Sequence, residues 1–348
     1  MKTNKALNDA VARLHSTRQK RAAQQLAEQS DLFAADDKTA PSAAELAGAV
    51  PDQPAKPEKR TRLAPMRHPN RDFFLCDMFD YALKDDGASM EAPIFTLATK
   101  PDLSSWTWQS QDGTRSVEVY PSIKGRATQL DKDILIYVIS QLTEALNQGR
   151  GDAKSRVVRF MVYDYLVATN REVGGSQYKQ LRAAMERLAG TRITTDIKTG
   201  GQRVAEGFGL IDSWSIIEEA PGDDRMYAIE VTLSKWLYNA VQAHEVLTIN
   251  RDYFRLRKPL ERRLYELARK HCGHQAMWAV GLPLLLEKCG SQMEEKAFRR
   301  AVKAIAQADT LPDYRLSYDA DKDQVLFYVR DTKKLVKGIA KRTPAPRK

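Results

Sequence analysis

The stretch Ser176–Gln202, "SQYKQLRAAMERLAGTRITTDIKTGGQ", holds two different periods in one run. Over its first half Tyr178, Leu181, Met185 and Leu188 recur at three- and four-residue spacing, the repeat of a helix with one apolar face. Gln177, Lys179, Gln180, Arg182 and Arg187 fall largely off that stripe and leave a second face free to meet a partner. From Thr191 the pattern turns β-branched, "TRITTDI", and Thr199-Gly200-Gly201 supplies a turn. The run therefore predicts a helix leading into a strand, with "QRVAEGFGLIDSWSII" returning as the antiparallel partner across Lys198–Gly201.

Upstream, "TQLDKDILIYVISQLTEALNQG" spaces Ile134, Val138, Leu142 and Leu146 by four and closes on Gly149, which predicts a helix of about five turns. "RVVRFMVYDYLVATN" adds a short strand and a short helix from Val162 to Thr169, broken by Gly174-Gly175. Helix, short helix, helix and hairpin, in that order, make a winged helix. Ahead of it, "IFTLAT", "SSWTWQS" and "RSVEVYPS" are β-rich, the last two joined through Asp112-Gly113, and they predict a small antiparallel sheet from Pro93 to Ser122. Trp106 and Trp108 alternate on one face of a strand; burial against the long helix is the expected use, and stacking on bases is the other.

The same order then repeats. "RKPLERRLYELARKHCGH" carries an apolar stripe of Leu260, Leu264 and Leu267, with Pro259 at a helix start. "AMWAVG" reads as a strand, "LPLLLEKCGS" as a short helix, and "EEKAFRRAVKAIAQAD" as a third helix. In that third helix Phe298, Val302 and Ile305 point inward, and Lys296, Arg299, Arg300 and Lys303 outward. "DYRLSYDADKDQVLFYVRD" closes the unit as a hairpin about Asp321-Lys322-Asp323. Between the copies lie a strand, Tyr227–Leu233, and an amphipathic helix around Trp236, which puts the boundary near 245–255.

The fold class expected is α+β: two tandem winged-helix domains preceded by a helical or disordered N-terminal extension. Residues 1–64 form that extension, with a marginal amphipathic helix over 4–30 and a proline-studded linker after it. Residues 65–248 form the first domain with its added β-sheet, 249–332 the second, and 333–348 a basic tail. The basic Lys56–Arg62 stretch is either a solvated tether or a DNA-contacting arm.

Lys and Arg number 55 against 45 Asp and Glu, a net charge of +10 that favours polyanionic partners. There is no apolar run of about 18 residues and no secretory leader, so a cytoplasmic protein with no membrane partner is expected. Three scattered cysteines, Cys76, Cys272 and Cys289, make no disulfide framework and suit a reducing compartment. "HCGH", His271–His274, with Cys289 downstream raises a zinc site. Its spacing is irregular, and a cationic cap at the helix C-terminus accounts for the histidines as well, so neither metal nor cofactor is expected. No G-x-x-x-x-G-K-[ST] cradle occurs, and the five histidines form no metal-binding pair, so the chain is read as no enzyme.

Helix faces that mix Lys, Arg and Gln suit the major groove, where Arg or Lys reads guanine and Gln reads adenine. A wing adds phosphate contacts that position without specifying. Arg251–Lys270 holds a dense excess of positive charge, including Arg257, Lys258 and Arg262. Its alternative is a solvated helix in which Glu261 and Glu266 pair with their own arginines.

Four stretches, "RHPNRDFFLCDMFD", "SQYKQLRAAMERLAGTRITTDI", "LTINRDYFRLRKPLERRLYELARKHCG" and "KAFRRAVKAIAQADTLPDYRLSYD", resemble the plasmid replication initiators, most closely the replication initiator protein A family. The resemblance spans about residues 65–332. It implies binding to repeated sites, or iterons, in double-stranded plasmid origin DNA, local duplex opening, and recruitment of host initiation factors and the replicative helicase. It also implies that the second unit reads the repeats while the first mediates homodimerisation or adds DNA contacts. Carried onto this chain, Lys296, Arg299, Arg300 and Lys303 become the base-reading candidates, with Ser176, Gln177, Lys179, Gln180 and Arg182 the weaker set. The alternative function is a winged-helix transcription regulator, and a third is a scaffold whose basic faces bind acidic proteins.

Overall fold

A computed structural model describes residues 63–67, 82–110, 113, 115–196, 206–218, 226–273, 275–333 and 335. The chain divides into Met1–Glu58 and Lys59–Lys348, and every described residue belongs to the second unit. The readings of the N-terminal helix, the linker with Lys56–Arg62, the Lys198–Gly201 turn and the tail beyond 335 lie outside the described residues.

In chain order the elements are β1 (Lys84–Asp86), α1 (Gly87–Glu91), β2 (Trp106–Gln109), β3 (Ser116–Tyr120), α2 (Lys132–Asn147), β4 (Val157–Met161), α3 (Val162–Ala168), α4 (Gly175–Gly190), β5 (Arg192–Thr195) and β6 (Glu206–Gly209). They continue with β7 (Ile211–Glu218), β8 (Met226–Leu233), α5 (Lys235–Gln242), β9 (Val246–Thr248), α6 (Pro259–His271), β10 (Met277–Gly281), α7 (Leu282–Cys289), α8 (Glu295–Ala308), β11 (Tyr314–Asp319) and β12 (Gln324–Val329). The order α2, β4, α3, α4, β7, β8 is matched by α6, β10, α7, α8, β11, β12. In both arrays the strand after the first helix pairs antiparallel with the last strand, giving sheet orders β4-β8-β7 and β10-β12-β11. This is winged-helix-type connectivity, in which a three-stranded sheet ends in a hairpin.

The helices form where the periods place them. On α4, Leu181, Met185 and Leu188 are buried with Tyr178 packed against the same core; on α8, Phe298, Val302 and Ile305 are buried. Each large side chain buried in this way contributes roughly 1.5–3 kcal/mol over exposure. α2 is apolar nearly all round because it serves two cores: Ile134, Leu135 and Val138 join the first cluster, and Ile136 joins the second. α7 ends on Gly290 in the left-handed region, φ 63°, where a Cβ would come 2.6 Å from Pro93 Cβ. Trp108 is buried and Trp106 packs partly buried beside it, as core residues.

Two strand expectations are corrected. β5 does pair with β6, Arg192 opposite Gly209, yet the pair is not the wing of the first array. It joins the β2-β3 hairpin in a separate four-stranded sheet, β2-β3-β5-β6, and the wing position is taken by β7 and β8. The chain changes sheets immediately after Gly209, where a Cβ would sit 2.9 Å from the Ile211 carbonyl and 3.1 Å from that of Ala189. The second correction concerns "IFTLAT", which forms no strand: Thr96 makes only an isolated bridge to Thr128.

Thr96 is instead tied by its side chain. Its hydroxyl donates to Asp102 Oδ2 at 2.7 Å, Arg126 Nη2 donates to the same oxygen at 2.6 Å, and the Ser104 N–H donates to Oδ1 at 3.0 Å. Burial alone would raise the Asp102 carboxyl, but hydrogen bonds from Ser104, Arg126 and Thr96 hold it well below the usual carboxylate range. A depressed value contributes stability that is present above the unfolded pKa, about 3.9, and is lost as pH falls through the folded value. Asp102→Asn is therefore expected to lower stability at neutral pH and to flatten the loss of stability on acidification below about pH 4. Urea unfolding midpoints over that range measure it, and a wild-type-like acid limb in the variant would refute it.

Candidate nucleic-acid interface

α8 presents its polar side as a stripe. Lys296, Arg300 and Lys303 are exposed at four- and three-residue spacing, and Gln307, four residues on, extends the line. Gln307 was absent from the sequence reading, although the same spacing marks it. Arg299 stands apart: half-buried, it turns toward the β11-β12 hairpin. There its Nε and Nη2 donate to Asp323 at 3.3 and 3.0 Å, and Nη2 also reaches Glu295 Oε1 at 2.5 Å. Lys303 Nζ lies 4.5 Å above the Tyr318 ring.

On α4, Ser176, Lys179, Gln180 and Arg182 are exposed and Gln177 is half-buried. Gln177 and Gln180 line a cleft of about 260 Å³ with Lys100, Arg171 and Arg187. Arg187 is a structural member of that wall, because its Nε and Nη2 each donate to Asp131 at 2.7 Å. Arg257 and Lys258 are exposed just ahead of α6. Lys258 Nζ is 3.5 Å from Glu261, and Arg257 Nη2 donates to the Asn170 carbonyl at 3.2 Å. Burial and the guanidiniums of Arg67, Arg262 and Arg171 push the Arg257 pKa down from its usual value.

Arg262 is not where the sequence reading put it. It is 3% exposed, its Nε donates to the Leu256 carbonyl at 2.8 Å, and its Nη1 is paired with the buried Asp133 carboxylate. A guanidinium so committed is not available to DNA. Arg263 is also inside, donating to the carbonyls of Ser89, Glu91 and Lys288 at 2.9, 2.8 and 2.7 Å, the last turns of α1 and α7. Glu266 completes the arrangement, fully buried, with Lys132 Nζ at 3.1 Å and Arg263 Nη1 at 3.4 Å. Two cations of the positive stretch, Arg262 and Arg263, are therefore interior wiring between α6 and its neighbours, while Arg257 and Lys258 stay exposed. Glu266 does pair within its own helix, with Arg263, and the pair is buried rather than solvated.

The histidine reading changes as well. His271 stacks on Trp278 with ring centroids 4.2 Å apart, and burial together with Lys288 lowers it to about 4. It is a neutral aromatic partner at neutral pH, not a cationic cap. Cys272 and Cys289 are buried free thiols, and burial pushes Cys289 up to about 12. Among the described residues no group of three or more His, Cys, Asp or Glu side chains could hold a metal ion, and His274 lies outside them. Among the same residues no helix is long and apolar enough to cross a membrane.

Comparison with known proteins bears on this geometry. Residues 84–316 match the family model described as replication initiator protein A. A putative replication protein of Wigglesworthia glossinidia brevipalpis is 36% identical over 265 residues, which is 75% of this chain and 94% of that protein. Among solved structures, domains 2 and 3 of RctB are similar in fold, with a TM-score of 0.50 at 15% identity, covering 70% of this chain and 98% of that one. The family match spans residues 84–316, most of the chain, and the relative covers three quarters of it: this chain belongs to the replication initiator protein A family.

Proposed function

We propose that this protein is a non-enzymatic plasmid replication initiator that binds repeated sites in origin DNA through two tandem winged-helix modules. The observation that carries the reading is the exposed Lys296, Arg300 and Lys303 stripe on the third helix of an array whose opposite face is buried, in a replication initiator family member. In this reading α8 enters the major groove, with Arg and Lys directed at guanine and Gln307 at adenine. α4 contributes the weaker set of Ser176, Gln177, Lys179, Gln180 and Arg182, and Arg257 and Lys258 contact phosphate. Opening of the adjacent duplex and recruitment of host initiation factors and the replicative helicase follow, roles that family membership supports.

A footprint of the purified protein on the DNA flanking its own gene, with competitor DNA and a salt series, tests the proposal. Protection at direct repeats supports an initiator. Protection at a single inverted repeat over a promoter favours a transcription regulator, and none above competitor favours a scaffold for acidic proteins. Contacts to phosphate release counterions, so log affinity is expected to fall against log salt by about 0.9 for each phosphate neutralised. Salt-independent binding would overturn the electrostatic part of the reading.

A further inference from the structure

Lys296, Arg300 and Lys303 have no carboxylate within ion-pair distance among the described residues, whereas Arg299 has two, Glu295 at 2.5 Å and Asp323 at 3.0 Å. Asp323 does not belong to the helix. It sits where the β11-β12 turn rejoins the sheet, in the left-handed region at φ 47°, with its carbonyl accepting the Leu282 N–H at 2.9 Å. Tyr318 donates its hydroxyl to Asp323 Oδ1, and Lys303 lies over the Tyr318 ring. The side chain is thus pinned from the backbone outward and faces the helix from the wing. Hydrogen bonds from Arg299 and Tyr318 hold its carboxyl below the usual range, so the negative charge is present at neutral pH.

Two consequences follow from that placement. A guanidinium whose fork is taken by a carboxylate cannot also take guanine O6 and N7. The turn itself, Asp319-Ala-Asp321-Lys322-Asp323, carries three carboxylates against one lysine, so this hairpin tip meets phosphate as a repulsive surface rather than as a grip. Specific recognition gains from such an element, since it penalises any duplex that offers charge without the right bases.

We propose that Asp323 is a specificity-determining residue of the α8 interface: it clamps Arg299 to the wing and keeps negative charge beside the reading stripe, so that DNA lacking the cognate bases is held weakly. The inference rests on the reading of α8 as a recognition helix. Arg299 is then a positioning residue, and Lys296, Arg300 and Lys303 are the ones that meet DNA.

The test is Asp323→Asn in the full chain, a change that keeps the shape, tolerates the left-handed backbone and can still accept the Tyr318 hydroxyl. Affinity is measured by fluorescence anisotropy, over a salt series, for a duplex from the footprinted segment and for an unrelated duplex of equal length. Arg299, then held only by the exposed Glu295, can turn to a phosphate, so affinity for the unrelated duplex is expected to rise about threefold or more, and its salt slope to steepen by about 0.9. Affinity for the footprinted duplex changes less, so the specificity ratio falls. Adding Arg299→Ala to Asp323→Asn is expected to remove the extra slope. Unchanged slope and unchanged unrelated-duplex affinity in a variant with wild-type unfolding would overturn the proposal and leave Asp323 a turn residue. Should Asp323→Asn fail to fold, Asp323→Gly, which takes the same left-handed backbone without strain, carries the same test with the same direction. Loss of all binding on Lys296→Ala with Arg300→Ala keeps the α8 reading standing in either case; wild-type binding by that variant overturns the reading and the proposal together.

Discussion

Replacing Asp133 with alanine is expected to destabilise the protein by about 3–5 kcal/mol, the usual cost of removing one partner of a buried ion pair. Asp133 is fully buried near the start of α2 and accepts from Arg171 Nη2 at 2.8 Å and from Arg262 Nη1 on α6. Its loss leaves two guanidiniums, at 20% and 3% side-chain exposure, without their shared carboxylate. Beside it, Lys132 Nζ lies 2.6 Å from Asp85 and 3.1 Å from Glu266, and Tyr253 donates to Glu266 at 2.6 Å. Burial opposes the charge on Lys132, and Asp85 and Glu266 outweigh it. The network joins the first helix of one array to the first helix of the other, so its disruption should loosen both together. Urea unfolding of Asp133→Ala and Asp133→Asn decides the matter: Asn retains a hydrogen-bond acceptor and should lose less. A change under about 1 kcal/mol in the alanine variant would show that water or a rearranged carboxylate replaces the lost partner.

The second large effect concerns binding. Lys296→Ala combined with Arg300→Ala is expected to remove site-specific DNA binding, since each direct contact to a base edge is worth about 1–3 kcal/mol. Both side chains are exposed and stand on the face opposite Phe298, Val302 and Ile305, so stability should change by no more than about 0.5 kcal/mol per substitution. Gel-shift titration on the footprinted repeats, with an unfolding curve on the same preparation, separates lost recognition from lost fold. Binding within about twofold of wild type would move the reading face away from α8.

Much of the candidate site was legible because a helix face is a local property. The stripe of Phe298, Val302 and Ile305 implies the opposite stripe of Lys296, Arg300 and Lys303 without reference to any other segment. Arg299 sits one position off that stripe, and only the placement of Asp323, 24 residues away, shows that it turns to the wing. The basic stretch before and within α6 misled for a similar reason. Its Leu260, Leu264 and Leu267 stripe suggested one buried face, whereas α6 is buried from Leu260 to Ala268 and draws Arg262 onto a carboxylate 129 residues away. The first wing was misplaced because β3 and β5, partners in a sheet, approach across a span such as the 80 residues between Ser116 and Asp196.

The amino-acid order by itself determined the principal helices and the apolar face of α4 and α8, because period and turn chemistry act over a few residues. The tertiary structure decided which charges meet solvent, which hairpin serves as the first wing and which cations are spoken for by carboxylates. Those outcomes depend on long-range packing, where desolvation forces each buried charge to find a partner wherever in the chain one lies.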